Sequence, residues 1–91
     1  MYHLIFSDCF DDEKEYIMNI VVDEDGKNSS STESEQECQK KCEVVSPCQF
    51  WTWTKEKKIC EYKNVTEQMR PTSIPNLQVI SGPKFCSIYI I

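Results

Sequence analysis

The sequence predicts a small disulfide-rich α+β domain with one helix and about five or six strands. The chain has 91 residues, which we expect to form a single domain, residues 1–91, with a small core. Its six cysteines are an even number, which is typical of an extracellular disulfide framework. Short alternating segments surround one helical segment that begins with capping residues. Size, cysteine content and mixed periodicity together predict this class.

The N-terminal part is predicted to contain two strands and a loop. Residues 2–10 and 16–22 are apolar enough for strands, and the acidic segment DDEKE between them favours a solvated turn. The acidic residues lack the alternation of an EF-hand calcium loop, which also favours a charged turn. Residues 23–33 are polar and contain one of the two glycines, so we expect a mobile loop there.

One helix is predicted from the segment that follows. TESEQE contains two overlapping capping boxes, in which Thr or Ser precedes Glu by three residues. The helix should end near Val45, because a Ser-Pro dipeptide follows and cannot easily extend it. Its buried stripe consists of Cys38, Cys42 and Val45, so cysteines occupy positions where a helix normally places Leu or Ile. We therefore expect disulfides to hold the helix in place.

A β-hairpin is predicted after the helix. The segment CQFWTWT alternates, and a charged turn at residues 55–57 leads into KICEY. A three-residue loop places Cys60 on the helix-facing side and both tryptophans on the opposite face. The predicted faces are Cys48, Phe50, Thr52, Cys60 and Tyr62 on one side and Trp51, Trp53 and Ile59 on the other.

The C-terminal part is predicted as a loop followed by two strands. Residues 64–76 carry two prolines and no periodicity, so we expect a loop there. The two strands are NLQVIS and FCSIYII, and Gly82-Pro83 separates them.

The cysteine spacing favours disulfides over a metal or redox site. The four cysteines from Cys38 to Cys60 are separated by three, five and eleven residues. Zinc sites usually use paired short knuckles such as C-x2-C, which this spacing lacks. A thioredoxin-like centre needs C-x-x-C at a helix start within a βαβ pattern, and the sequence has neither. We therefore expect no metal and no cofactor.

Local geometry favours one nested pairing among the many that six cysteines allow. Cys38 and Cys42 project in parallel from one helix face, so they are poorly placed to bond each other. Cys42 lies nearer the Ser-Pro turn, beyond which Cys48 stands, and Cys38 then faces Cys60. The predicted bonds are Cys42–Cys48, Cys38–Cys60 and, from the remaining pair, Cys9–Cys86.

Four cysteine motifs resemble those of the PAN/apple domain family. They are, in order, ECQKKC, CQFWTW, CEY and ISGPKFC, and the resemblance spans about Cys9 to Cys86. The family includes modules of plasma prekallikrein, coagulation factor XI, plasminogen and hepatocyte growth factor, and microneme adhesins of apicomplexan parasites. The resemblance implies a curved antiparallel sheet of about five strands cradling one α-helix. It also implies two core disulfides, Cys38–Cys60 and Cys42–Cys48, and, as in apple-type members, a third between the termini, Cys9–Cys86. The long acidic stretch before Cys38 departs from the family pattern, so no specific ligand site is carried over.

The charge of the chain is unevenly distributed. The net charge is −5, but residues 1–37 contain eleven acidic residues and two lysines, whereas residues 38–91 contain four acidic and eight basic residues. The overall acidity argues against a nucleic-acid partner, because phosphate contacts need a dominant basic surface. No segment approaches transmembrane length, so we expect no membrane insertion.

Several features favour a secreted or extracellular protein. Sequons at Asn28 and Asn64 match the N-glycosylation pattern, and the cysteines fit an oxidising compartment. The N-terminal residues lack the pattern of a signal peptide. We therefore expect a module excised from a larger multi-domain secreted protein, with storage in a secretory organelle before release as one route.

The sequence predicts a binding module and not an enzyme. His3 is the only histidine, so no Ser/His/Asp set can form, and no Gly-rich phosphate loop occurs. The resemblance implies adhesion or recognition, with noncovalent binding of a host-surface or partner protein or of a glycan. The alternative is a structural spacer in a tandem array, which contacts neighbouring domains of the same chain and has no ligand.

The candidate contact residues lie on the predicted hairpin. Trp51 and Trp53 form a contact surface if their face is open to solvent, and they are core if it is covered. Lys55, Lys57 and Lys58 are candidates for contacts with an acidic partner. They belong to a wider basic set with Lys40, Lys41 and Lys63, and such a set is more often a solvated face.

Overall fold

The computed structural model describes residues 4–6, 10–65, 72–85 and 88–90. These residues form one α-helix, a six-stranded antiparallel sheet and a separate two-stranded sheet. The strands are β1 (Leu4–Phe6), β2 (Asp11–Ile17), β3 (Asn19–Ile20), β4 (Ser29–Ser31), β5 (Phe50–Thr54), β6 (Ile59–Asn64), β7 (Thr72–Pro83) and β8 (Ile88–Ile90), and helix α1 is Glu35–Val44. The predicted α+β class is confirmed.

The larger sheet is centred on the β5–β6 hairpin. Its order is β2-β7-β5-β6-β3, and β4 pairs with the same strand β6 as β3 does. Strands β1 and β8 pair with each other and bring the two ends of the described chain together. Helix α1 contacts β5, β6 and β7 and therefore covers one face of the central strands.

Helix α1 begins and ends where the sequence predicts. Ser34 is the N-cap, and its Oγ accepts a hydrogen bond from the Glu37 backbone N–H at 3.2 Å. The Glu37 carboxylate in turn accepts from the Glu33 N–H at 3.1 Å. Val45 is the C-cap in an extended conformation. These caps satisfy backbone groups that a short helix otherwise leaves to water.

Two disulfides attach α1 to the strands around it. Cys38 bonds Cys60 in β6, with the Cα atoms 5.3 Å apart. Cys42 bonds Cys48 across the turn that ends the helix, with the Cα atoms 5.4 Å apart. Both predicted bonds are confirmed, and all four cysteines are fully buried. The predicted third bond, Cys9–Cys86, involves residues outside the described part of the chain.

The predicted register of the β5–β6 hairpin is wrong by one residue. The turn has four residues, Lys55–Lys58, and Thr54 pairs directly with Ile59. Lys58 closes this turn in the left-handed region, with φ of 54°, and its N–H bonds the Thr54 carbonyl at 2.8 Å. The extra turn residue moves both tryptophans to the same face as Cys60, because adjacent strand residues point to opposite faces.

The two faces of the hairpin are therefore different from those predicted. Trp51 pairs with Tyr62 and Trp53 with Cys60, so these residues share the face that α1 covers. We call it the tryptophan face. The other face, which we call the polar face, carries Phe50, Thr52, Glu61 and Lys63.

The acidic segment DDEKE is a strand and not the predicted turn. It belongs to β2, which pairs with β7. The register shifts from Asp12 opposite Ile80 to Lys14 opposite Pro75, and Glu13 between them has a φ of 61°. The acidic residues thus lie in one continuous strand, at the β-bulge where its pairing with β7 shifts.

Two predicted loops also contain regular structure. Strand β7 begins at Thr72, inside the predicted loop at residues 64–76, and it continues through Gly82-Pro83, where a break was predicted. Its two prolines lie beside the bulge and at the strand end, where a missing N–H is tolerated. In the predicted mobile loop at residues 23–33, β4 pairs with β6.

The core lies between α1 and the tryptophan face. Trp51 is fully buried, Tyr62 is nearly so, and the four bonded cysteines surround them. Phe10 packs edge-on against Trp51, with ring centroids 4.9 Å apart. The tryptophan pair and the two cystines thus provide the packed interior that so short a chain can form.

The polar face is covered by the far half of β2. The Tyr16 and Phe50 rings pack edge to face, with centroids 5.5 Å apart. Lys63 is buried, and its Nζ donates to the Tyr16 carbonyl at 2.6 Å. Thr52 and Ser81, both buried, share a hydroxyl–hydroxyl hydrogen bond of 2.8 Å. One hydrogen bond and one aromatic contact therefore hold β2 over this face, and the Thr52–Ser81 hydrogen bond links the neighbouring strands β5 and β7 within it.

Candidate functional site

The two tryptophans do not form an exposed contact surface. Trp51 is fully buried and Trp53 is 7% exposed. Their indole N–H groups donate to the carbonyls of Pro83 and Thr32, at 3.0 and 3.4 Å. Because the face is covered by α1, the core interpretation of this pair applies and the contact-surface interpretation does not.

The candidate lysines lie at the hairpin turn, but two of them already have acidic partners. Lys55 Nζ lies 2.9 Å from Asp12 Oδ1, and Lys58 Nζ lies 3.3 Å from Glu33 Oε2. Lys57 is exposed. Lys63, from the wider basic set, is buried beneath β2 and is not a surface residue. The acidic N-terminal part and the basic C-terminal part thus neutralise each other at this end of the molecule.

A concave surface lies elsewhere, between α1 and the loop that follows β3. It is a groove of about 340 Å³, which we call the helix–loop groove. One wall is formed by Asp23, Glu24 and Asp25, and the other by Lys41, Val44 and Val45 near the helix C-terminus, with Tyr62 of β6 between them. Its lining is both charged and apolar.

The acidic wall of the groove is held by its own hydrogen bonds. Asp23 Oδ1 accepts from the backbone N–H groups of Asp25 and Lys27, at 2.9 and 3.0 Å. The Asp23 N–H donates to the Lys27 carbonyl at 2.8 Å, and Gly26 adopts a φ of 76° that closes the turn. The carboxylates of Glu24 and Asp25 are thereby presented from a fixed backbone.

Strand β6 anchors both ends of this wall. The Val21 N–H donates to the Tyr62 carbonyl at 3.0 Å, and the Tyr62 N–H donates to the Asn28 carbonyl at 3.3 Å. The Tyr62 hydroxyl is also 2.7 Å from Ser30 Oγ. A buried tyrosine in the central hairpin therefore sets the position of the loop relative to the helix.

The opposite wall is fixed by a lysine that sequence reasoning missed. Lys84 Nζ donates to the carbonyls of Val45 and Ser46, at 3.3 and 3.2 Å. The Gln39 side chain in α1 donates back to the Lys84 carbonyl. A cation at these carbonyls stabilises the C-terminal end of a helix. The only sequence signal for this role is that Lys84 lies within the last cysteine motif, ISGPKFC.

Val44 gives the helix wall an apolar surface that no other described element covers. Its side chain is 79% exposed, whereas the neighbouring Val45 is 7% exposed. Among the ion pairs between described residues, none involves the three carboxylates of the opposite wall. The groove thus combines unpaired negative charge with an exposed apolar patch.

Tyr16 is the one described residue with a clearly displaced pKa. Its half-buried hydroxyl donates to the Asp11 carboxylate. Burial raises the pKa of Tyr16 above its ordinary value, and the hydrogen bond and the negative charge of Asp11 raise this pKa further. This pair lies in β2, away from the helix–loop groove.

Both sequon asparagines lie in the described part of the chain. Asn28 of the first sequon is exposed, and Asn64 of the second is half-buried at the end of β6. In the described ranges, no group of three or more His, Cys, Asp or Glu residues is arranged to hold a metal ion. A membrane-spanning helix is likewise not found among the described residues.

Comparisons with known proteins identify one family. The family model described as PAN domain matches residues 9–86, a span that includes all six cysteines. No curated protein matches the chain.

Proposed function

The chain belongs to the PAN domain family, and on that premise we propose that it is a recognition module of a larger secreted protein. Modules of this family commonly mediate protein or carbohydrate interactions and are generally non-catalytic. The proposed activity is noncovalent adhesion to a host-surface or partner protein or to a glycan, with no substrate turned over. The family match over residues 9–86 is the observation that carries this proposal.

The surface proposed for binding is formed by the hairpin turn, the helix and their flanking loops. It includes Lys55, Lys57 and Lys58, of which Lys57 has the fewest competing contacts. Exposed charges at a rim mainly affect association rate and salt dependence. The buried tryptophans support this surface from below and do not contact the ligand.

The proposed location is extracellular. Disulfide-rich PAN domains are typical of extracellular proteins, and the two described disulfides are buried in the core. Storage in a secretory organelle before release, and use of the sequons at Asn28 and Asn64, belong to the same proposal. Neighbouring domains of the parent chain are further proposed partners.

The second candidate function is a structural spacer with no ligand of its own. The ion pairs of Lys55 and Lys58 with Asp12 and Glu33 favour it, because they leave little free charge at the hairpin turn. A spacer needs a folded domain only, and exposed ion pairs contribute little to affinity or stability.

Binding of the oxidised 91-residue chain to panels of glycans and cell-surface proteins tests the proposal. We expect at least one partner, and replacement of Lys55, Lys57 and Lys58 by Ala should weaken its binding at low salt. High salt should reduce the difference between this variant and the wild type. Replacement of Lys14 by Ala, in β2 and outside this surface, is the control for the loss of one positive charge and is compared with the single variant Lys57→Ala.

The outcomes separate the candidate functions. Equal affinity of the wild type and the hairpin-lysine variant would remove the hairpin turn from the binding surface. The absence of any partner in both panels would contradict the recognition function and support the spacer.

A further inference from the structure

We propose that the helix–loop groove binds a lysine or arginine side chain of a protein partner. This inference rests on the proposed recognition function and deepens it by naming the chemistry of the partner. The groove differs from the hairpin turn in both shape and charge, because it is concave and acidic.

The size of the groove limits the occupant. At about 340 Å³, it lies at the small end of the range of ligand pockets. A long side chain with its flanking backbone fits such a space, whereas an extended polymer would leave most of its length outside. Its occupant is therefore a short anchor projecting from a larger partner.

The charges of the groove select the sign of this anchor. Asp23, Glu24 and Asp25 face a single basic residue, Lys41. A cationic head group gains Coulomb attraction from these carboxylates, and a guanidinium can also bind a carboxylate through two parallel hydrogen bonds. An anionic head group, such as a sulfated sugar, meets net repulsion in the same place.

The apolar wall accommodates the rest of the anchor. Lys and Arg side chains lay their methylene stems on apolar surface while the charged head stays near polar groups. The exposed Val44 offers that surface beside the carboxylates. An uncharged glycan would instead favour an exposed aromatic face, and Tyr62, the aromatic residue that lines the groove, is only 2% exposed.

Both walls are organised before a partner arrives. Asp23 closes the acidic loop through two backbone hydrogen bonds, and β6 anchors its ends. Lys84 holds the helix end that carries Val45. A preformed site loses little conformational entropy on binding, which favours recognition by a small anchor.

Nuclear magnetic resonance titration of the oxidised chain with matched peptides tests the inference. The probes are the acetylated and amidated peptide GVRVG, and the same peptide with citrulline, a neutral isostere, in place of arginine. We expect the arginine peptide to shift the backbone amides of residues 23–27 and 41–45 at low salt. The citrulline peptide should leave them in place.

Variants of the two walls should change the affinity in opposite directions. The double variant Glu24→Gln/Asp25→Asn should weaken binding of the arginine peptide about fivefold, the upper range for an exposed charge pair. The variant Lys41→Gln should strengthen binding about twofold, because it removes a repulsive charge. The control Glu13→Gln/Glu56→Gln removes two negative charges from exposed positions in β2 and at the hairpin turn, outside the groove, and should have no effect. Asp23 is kept because it closes the loop.

Three results of the peptide titrations would overturn the inference. They are equal shifts with the citrulline peptide, shifts confined to other residues, and an unchanged affinity of the Glu24→Gln/Asp25→Asn variant. A sulfated heparin disaccharide that shifts residues 23–27 where the arginine peptide does not would assign the groove to an anionic glycan and would also overturn it. None of these results involves the hairpin lysines, so the proposed recognition function fails separately, when neither panel yields a partner.

Discussion

The two faces of the central β5–β6 hairpin are both covered, but by different kinds of contact. On the tryptophan face, α1 is attached by two cystines and packs over Trp51, which is fully buried. On the polar face, the far half of β2 is held by the hydrogen bond of Lys63 and the edge-to-face contact of Tyr16 with Phe50. The first layer is covalent and apolar, and the second is mostly polar.

This difference shows how a small domain covers both faces of its hairpin although it has enough apolar residues for only one core. Apolar burial and disulfides supply most of the stabilisation available to a chain of this length. Hydrogen bonds and ion pairs contribute less net free energy, but they specify geometry. We therefore expect damage to the tryptophan face to cost more than damage to the polar face.

The largest effect is expected from loss of the disulfide between α1 and β6. Replacing Cys38 and Cys60 by Ala should lower the free energy of unfolding by about 3 kcal/mol, since the bond closes a long loop in the unfolded chain. The helix should also lose order, because its buried side rests mainly on cysteines. Denaturant unfolding followed by circular dichroism measures both.

The Cys42→Ala/Cys48→Ala variant is the matched control for that loss. Its bond closes a separation of 6 residues where the first closes 22, so the chain-entropy cost should be smaller, about 2 kcal/mol. A larger loss of helical signal in this control would contradict the view that the bond to β6 holds the helix to the sheet.

A smaller effect is expected on the polar face. The variant Thr52→Val keeps the side-chain shape but leaves the buried Ser81 hydroxyl without its partner. Such an unsatisfied group costs about 1–2 kcal/mol. Thermal or denaturant unfolding of this variant measures the cost.

The double variant Thr52→Val/Ser81→Ala sharpens the same comparison. Because both polar partners are removed, its stability should return close to that of the wild type. A double variant that is less stable than either single variant would show that packing, and not hydrogen-bond satisfaction, governs this face.

The smallest effect appears only in alkaline solution. Burial and Asp11 raise the pKa of Tyr16, so in the unfolded chain the phenol ionises near its ordinary value of about 10 while the folded chain keeps its proton. Its contribution to stability is therefore complete below about pH 10 and is lost as the pH rises towards the raised pKa. The stability advantage of the wild type over Tyr16→Phe should shrink across that range.

Stability measured against pH for both proteins checks this expectation. The other three tyrosines are common to both chains, so their ionisation cancels in the comparison. The range from pH 8 to pH 12, about 4 pH units, spans the ionisation of the Tyr16 phenol in the unfolded chain. A stability difference that stays constant across this range would exclude a raised pKa of Tyr16.

The sequence predicted the features that depend on local residues. The N-cap at Ser34 and the end at Val45 follow from side chains within one helical turn. The bonds Cys38–Cys60 and Cys42–Cys48 follow from spacing and from the direction of the helix. The PAN/apple resemblance was carried by the same cysteine motifs, and the family match confirms it.

The errors in the fold arose where the backbone adopts a conformation that its residue does not signal. Lys58 and Glu13 have positive φ angles, which normally indicate Gly or Asn. The first lengthens the hairpin turn and reverses the predicted faces, and the second turns an expected loop into a bulged strand. Neither position could be identified from residue type alone.

The helix–loop groove was missed because its walls are distant in sequence. Residues 23–25 and residues 41–45 belong to different elements, and the loop is placed beside the helix by the hydrogen bonds of Val21 and Asn28 to Tyr62 in a third element. The tryptophans, in contrast, are large aromatic residues that indicate either a contact surface or a core, and the hairpin register places them inside. For both the groove and the tryptophans, only the tertiary structure shows whether the residues form an exposed surface.

The bulge opposite Glu13 gives this domain a place where its length can vary. Between the pairs Asp12–Ile80 and Lys14–Pro75, one residue of β2 faces residues 76–79 of β7. Pairing continues on either side of this excursion, and Leu77 within it is 74% exposed. Insertions at Leu77 would lengthen the excursion without shifting either ladder, which makes this position suitable for a peptide tag or a fluorescent label in protein engineering.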